Sequence, residues 1–113
     1  DWHKRTRADY DEAIRVFNEV GRRFRDEGIH LHYHNHDFEF LETLGPGGPR
    51  GIDYLAEKLD PSACDLCVDV AWVLRGQDDP AAFLLKHSGI TGYLHFKDTD
   101  GTDWKELGRG KVD

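Results

Sequence analysis

With 113 residues, 38% of them hydrophobic and including three Trp, four Tyr and six Phe, the chain can bury the core of one small domain but little more. A formal charge of −7 and a pI near 5.4 argue against a nucleic-acid backbone as the main partner, because phosphate contacts require a surplus of Lys and Arg. No run approaches the roughly 20 apolar residues of a membrane span and no signal-peptide pattern opens the chain, so neither a membrane partner nor export is expected. Asp1 in place of Met leaves room for chain upstream.

A helix is predicted from about Arg7 to Asp26, where Ala8, Ile14, Phe17, Val20 and Phe24 recur at helical spacings with Arg and Glu between them. Gly28 stands just beyond, where a left-handed cap would sit. From about Ile29 to His36 the pattern becomes that of a strand: Ile29, Leu31 and Tyr33 alternate with His30, His32, His34 and His36. Successive strand side chains point to opposite faces, so the four imidazoles share one face. Four of the chain's seven histidines lie here. Imidazoles converging at a strand end, with carboxylates such as Glu39 just beyond, suit a metal site or a proton-transfer site. His30 and His32 lie nearer the start of the strand and are expected to be packing or surface residues.

The link Gly45-Pro46-Gly47-Gly48-Pro49-Arg50-Gly51 is too rich in turn formers for regular structure. A short amphipathic helix is predicted from Ile52 to Leu59, closed by Asp60-Pro61, and a second strand from Cys64 to Val70 with Asp69 near its end. Asp79-Pro80 supplies a cap and first helical residue for a helix to about His87, with Phe83, Leu84 and Leu85 apolar. Tyr93 to Lys97 is predicted as a third strand, followed by a polar, Gly-rich stretch from Asp98 to Gly110. Cys64 and Cys67 form a lone C-x-x-C inside a strand, where packing is the usual role, and a reducing, cytoplasmic setting fits them.

Helices alternating with strands predict an α/β fold with right-handed crossovers and a parallel sheet. His34, His36, Asp69, His95 and Lys97 then all fall at or just after the C-terminal ends of strands, the rim where ligands bind in such sheets. Asp69 shares a face with Cys67, and His95 shares one with Tyr93 and Lys97. One inward surface can therefore collect these groups.

The blocks YHNHDFEF (33–40), VDVAW (68–72) followed by DPAAFL (79–84), LHFKD (94–98) and LGRGKVD (107–113) resemble the sugar phosphate isomerase/epimerase family of xylose-isomerase-like TIM barrels. The resemblance implies parallel βα units forming part of a (β/α)8 barrel, with about three strands of a domain that runs to roughly 250–300 residues. The whole chain, residues 1–113, is then one partial barrel domain and one piece of a longer barrel. Its raw sheet edges imply marginal stability alone or self-association as a homo-oligomer.

The resemblance also implies a divalent ion (Mn, Mg, Co or Zn) held by carboxylates and a histidine from successive strand ends. Asp69 matches the family Asp and His95 the family His. His34 stands at the position of the first family Glu, a departure from the family's ligand pattern, and Glu39 is a catalytic candidate and a substitute ligand if the strand end bends back. The final family Glu has no counterpart up to Asp113. His36 matches an acid/base or substrate-facing histidine, Trp72 a substrate contact, and Asn35 and Lys97 further substrate contacts. The implied activity is isomerisation or epimerisation of a sugar, keto-sugar or inositol derivative, by proton transfer next to a carbonyl through a metal-stabilised enediolate. Lys97 can hold a substrate oxygen or donate a proton.

Two alternatives stay open: a dehydratase or lyase acting through His36 on a keto-sugar or inosose, and a truncated remnant without catalysis. A DNA-repair relative would need more ligands and a basic groove. The residues have plainer readings too, with Asp69 as a cap of the following turn, His95 as a satisfied imidazole, and Lys97-Asp98 as a solvated rim pair.

Overall fold

In the computed structural model, which describes residues 5–113, the chain opens with helix α1 (Arg7–Asp26). Its start is fixed by a reciprocal capping box: the Thr6 hydroxyl accepts from the Asp9 amide, and the Asp9 carboxylate accepts from the Thr6 amide. It ends where Gly28 takes a φ of 76° and the Ile29 amide reaches back to the Phe24 carbonyl at 2.9 Å. His3, whose simplest reading from sequence is an exposed side chain, lies outside the described residues.

Strand β1 (Leu31–His34) leads into a single-turn helix, α2 (Phe38–Leu41), and then the turn-rich link. Helix α3 (Gly51–Lys58) returns the chain to strand β2 (Cys64–Asp69), which runs directly into helix α4 (Val70–Arg75). Helix α5 (Pro80–Lys86), capped by Asp79, and a 3₁₀ turn over Ser88–Ile90 deliver strand β3 (Thr91–His95). A small antiparallel hairpin, β4 (Asp98–Thr99) with β5 (Trp104–Lys105), follows.

The three longer strands form one parallel sheet in the order β1-β2-β3. Cys64, Leu66 and Val68 point to the helical side and are buried there with Ile52, Leu55, Phe83 and Ile90. Full burial of each such aliphatic side chain contributes about 1.5–3 kcal/mol before chain entropy is charged against it. The other face of β2 presents Asp65, Cys67 and Asp69 to the imidazoles of β1 and β3. The two cysteines therefore lie on opposite faces as free thiols, and burial pushes Cys64 up to about 11.

The predicted parallel α/β architecture is borne out, with corrections at the joints. The second strand stops at Asp69 rather than Val70, because the next residues wind into α4. Neither α2, α4 nor the hairpin was anticipated: a four- or six-residue helix and two-residue strands carry too little periodicity to read. The segment from Asp98 on is ordered by one carboxylate, since Asp98 accepts from the amides of Thr99, Gly108, Gly110 and Val112. Of the apolar residues on α5, Leu85 is 80% exposed, whereas Phe83 and Pro80 are buried.

Strand β3 carries a one-residue irregularity that sets the site. Leu66 pairs with Thr91 but Cys67 pairs with Tyr93, so Gly92 is the extra residue. Without that bulge Asp69 would face Leu94; with it Asp69 is paired with His95.

Helix α1 lies so close to the segment entering β2 that a Cβ on Gly21 would come 2.1 Å from the Ala63 carbonyl oxygen. Gly21→Ala gains about 1 kcal/mol of helix propensity, but the backbone contact must open. The expected net result is a loss of about 1–3 kcal/mol, read from the urea midpoint.

Candidate metal centre

Strands β1, β2 and β3 bring one side chain each to a common point beyond their C-terminal ends. His34 Nε2 lies 3.2 Å from Asp69 Oδ2, His95 Nδ1 lies 3.1 Å from the same oxygen, and the two ring nitrogens are 2.9 Å apart. Adjacent ligands around an octahedral ion with bonds of about 2.1 Å are about 3.0 Å apart. The triangle thus has the dimensions of one octahedral face, and its two nitrogens and one oxygen are a donor set that suits a first-row divalent metal.

Asp69 is fully buried, and its two oxygens have separate tasks. Oδ1 accepts from the Ala71 and Trp72 amides, both at 3.1 Å, and so caps α4. Oδ2 is left for the imidazoles. The capping role foreseen as a plain alternative and the role of ligand are therefore not rivals. Burial lowers His34 below the ordinary imidazole value despite the nearby carboxylate, which favours the neutral form with a lone pair to donate.

Asn35 was expected to touch substrate, but the residue is 1% exposed and its side chain is engaged with backbone. Its Oδ1 accepts from the Asp69 amide at 2.8 Å, and its Nδ2 donates to the Asp69 carbonyl at 3.3 Å. It clamps the end of β1 to the end of β2 and holds the Asp69 backbone in place. Glu39 is also fully buried, away from the triangle. It accepts from the Tyr33 hydroxyl at 2.7 Å and the His36 amide at 2.8 Å, so the strand end does not bend back to present it as a ligand.

His36 reaches the site's flank, with its ring 5.2 Å from that of His34, 5.4 Å from that of Trp72 and stacked on Phe38. Lys97 Nζ stands 4.0 Å from Asp69 Oδ2 and 3.5 Å above the centre of the Trp104 ring. Trp72 meets Trp104 edge to face, and Arg75 lies 4.9 Å and 4.5 Å from their centres. Trp104 went unnoticed in the sequence, where its only signal was a large aromatic in an otherwise polar loop. His30 and His32, expected to be packing or surface residues, both contact Asp65 at the far end of the strands.

A family model for the xylose isomerase-like TIM barrel matches residues 1–113. The chain belongs to that family. An inosose dehydratase of Halalkalibacterium halodurans is 31% identical over 81 residues, covering 72% of this chain and 25% of the relative. The inosose dehydratase of Geobacillus thermodenitrificans is 27% identical over 93 residues, or 82% of this chain and 30% of the relative. A solved sugar phosphate isomerase/epimerase from Parabacteroides distasonis matches with a TM-score of 0.75 and 27% identity, over 87% of this chain and 38% of that one. The chain thus spans about a quarter to a third of the curated relatives it matches. In a xylose isomerase-like barrel the helix-covered face of the sheet is the outer wall and the histidine-bearing face lines the lumen, so the triangle sits at the rim where such barrels bind ligands.

Burial raises the Glu39 carboxyl above its ordinary value of 4.5. The folded state then holds its proton more tightly than the unfolded chain, so Glu39 contributes stability fully below about 4.5 and loses it as pH rises through the folded value. Glu39→Gln keeps a neutral side chain at every pH. The stability of wild type relative to Glu39→Gln should therefore fall as pH is raised from 4 to 7, measured by urea unfolding at each pH.

Proposed function

We propose that this chain is the metal-holding segment of a barrel enzyme that isomerises or epimerises a sugar, keto-sugar or cyclitol by moving a proton next to a carbonyl. The observation that carries this reading is the convergence of His34 Nε2, Asp69 Oδ2 and His95 Nδ1 within 3.2 Å of one another at the strand tips. A divalent ion bound there supplies a Lewis acid for the carbonyl oxygen, on which charge builds as the neighbouring C–H is broken. The nitrogen-rich set favours Zn²⁺ or Co²⁺ over Mg²⁺, which prefers oxygen donors.

The chain's own residues divide the remaining work. His36, half exposed beside the triangle, would take the proton from carbon and return it. Lys97, steered over the Trp104 ring, can hold a substrate hydroxyl and give a proton to the oxygen as an enediolate forms. Trp72 provides an apolar wall against which the carbon face of a sugar ring can lie, while Asn35 keeps Asp69 in place rather than touching substrate.

A second reading, dehydration of a keto-sugar or inosose, is favoured by two observations. The curated relatives reported above are inosose dehydratases. The triangle also has one carboxylate rather than a pair, so a two-base epimerisation has only imidazole and ammonium to draw on. In that reaction His36 removes the proton and Lys97 protonates the departing hydroxyl.

Metal retention by the chain and turnover by the closed barrel test the proposal separately. Asp69→Asn and His95→Ala should each weaken Zn²⁺ or Co²⁺ binding by on the order of 100-fold, measured by calorimetry; unchanged affinity in both would overturn the metal centre. In D₂O, isomerisation gives an isomer of the substrate with deuterium in place of a carbon-bound hydrogen, whereas dehydration gives a product that has lost one water. His36→Gln should abolish either signal.

A further inference from the structure

We propose that His30, His32 and Asp65 form a second cation site, for a divalent ion of the zinc class, at the opposite end of the same lumen-facing surface. His30 Nε2 lies 3.0 Å from Asp65 Oδ2, and His32 Nδ1 contacts Asp65 Oδ1. One ligand atom from each residue lies within 4.8 Å of the other two. The spacing follows from the strand: His30 and His32 are two residues apart and share a face, and Asp65 is the direct cross-strand partner of His32.

Charge favours an ion here. Asp65 is 8% exposed, and among the described residues no Lys or Arg comes within ion-pairing distance of its carboxylate; imidazoles are its partners. A nearly buried carboxylate without a fixed positive neighbour is costly, and a divalent cation shared with two neutral imidazoles removes that cost. The pocket around the carboxylate is also shaped for it: a Cβ on Gly92 would fall 1.8 Å from Asp65 Oδ2, so the Gly92 bulge leaves the space that Asp65 fills. The two rings stack with centres 4.7 Å apart, which sends their nitrogens toward the same carboxylate.

Two imidazole nitrogens and one carboxylate oxygen are the protein ligands of a zinc-class site that leaves its remaining positions to water. Mg²⁺ and Ca²⁺, which take oxygen donors, suit it poorly. Asp65 and Asp69 are four residues apart on β2, roughly 13 Å along the strand, and the two triads share no residue. The site therefore stands apart from the proposed catalytic centre. An ion here would tie β1 to β2 near their N-terminal ends, where the Asn35 clamp does not reach.

Zn²⁺ binding to the full chain, with stoichiometry from native mass spectrometry and affinity from calorimetry, decides the matter. His30 is exposed, so its replacement leaves the core intact. Wild type should hold two ions, His30→Ala one, His95→Ala one, and the double variant none. In the His95→Ala background, added Co²⁺ should give the absorption of a protein-bound ion, lost when His30→Ala is added. If far-UV dichroism shows His30→Ala altered, His30→Gln, which retains a hydrogen-bonding group but is a poor ligand, is read instead. A His95→Ala chain that takes up no Zn²⁺, or a His30→Ala chain with unchanged stoichiometry, would overturn the second site. A single ion lost only with His30 would support it while removing the catalytic centre.

Discussion

Asp69 is a fully buried carboxylate on which the rest of the rim is organised. A charge in that position persists only if every lone pair has a partner, and the fold supplies them from three directions. Two amides of α4 satisfy one oxygen, two imidazoles crowd the other, and the Asn35 side-chain amide holds both the N–H and the C=O of Asp69. The carboxylate thereby ends a strand, starts a helix and faces the cleft at once. Such over-determination keeps a polar cluster rigid enough to serve as a binding site.

The sheet has two unlike faces, and the difference follows from the pleat. The helical side of β2 is Cys64, Leu66 and Val68, all buried, while the opposite side is Asp65, Cys67 and Asp69. In a closed barrel that second face meets other strands. Here it gathers imidazoles from both neighbours, which gives the lumen an unusual density of nitrogen ligands. The exposed Tyr93 belongs to the same side, its ring 5.6 Å from that of His32.

Beside the triangle lies a second group of packed side chains. Trp72 from α4 and Trp104 from the hairpin meet at right angles and hold Lys97 and Arg75 against their faces. Cation–aromatic contact steers the Lys97 ammonium without neutralising it, so its charge stays available next to Asp69. The hairpin itself exists because the Asp98 carboxylate collects four backbone amides, one of them from Gly110, where a Cβ would sit 2.1 Å from the carboxylate.

The alternation of His30, His32, His34 and His36 with apolar residues determined that imidazoles share one face, although the strand itself, β1, is shorter than that alternation and holds only His32 and His34 of the four, and the order of periodic segments determined a parallel α/β sheet. Both are local consequences of backbone geometry. Tertiary structure alone decided which residues on neighbouring strands meet. The extra residue at Gly92 moves His95 rather than Leu94 opposite Asp69, and it is visible only in the pairing of two strands. The same holds for Asn35, whose polar side chain looked like a substrate contact until the closeness of two strand ends turned it into an internal clamp, and for Glu39, which the turn into α2 buried behind Tyr33. Periodicity reports the face on which a side chain lies, whereas register and burial depend on contacts between segments far apart in the chain.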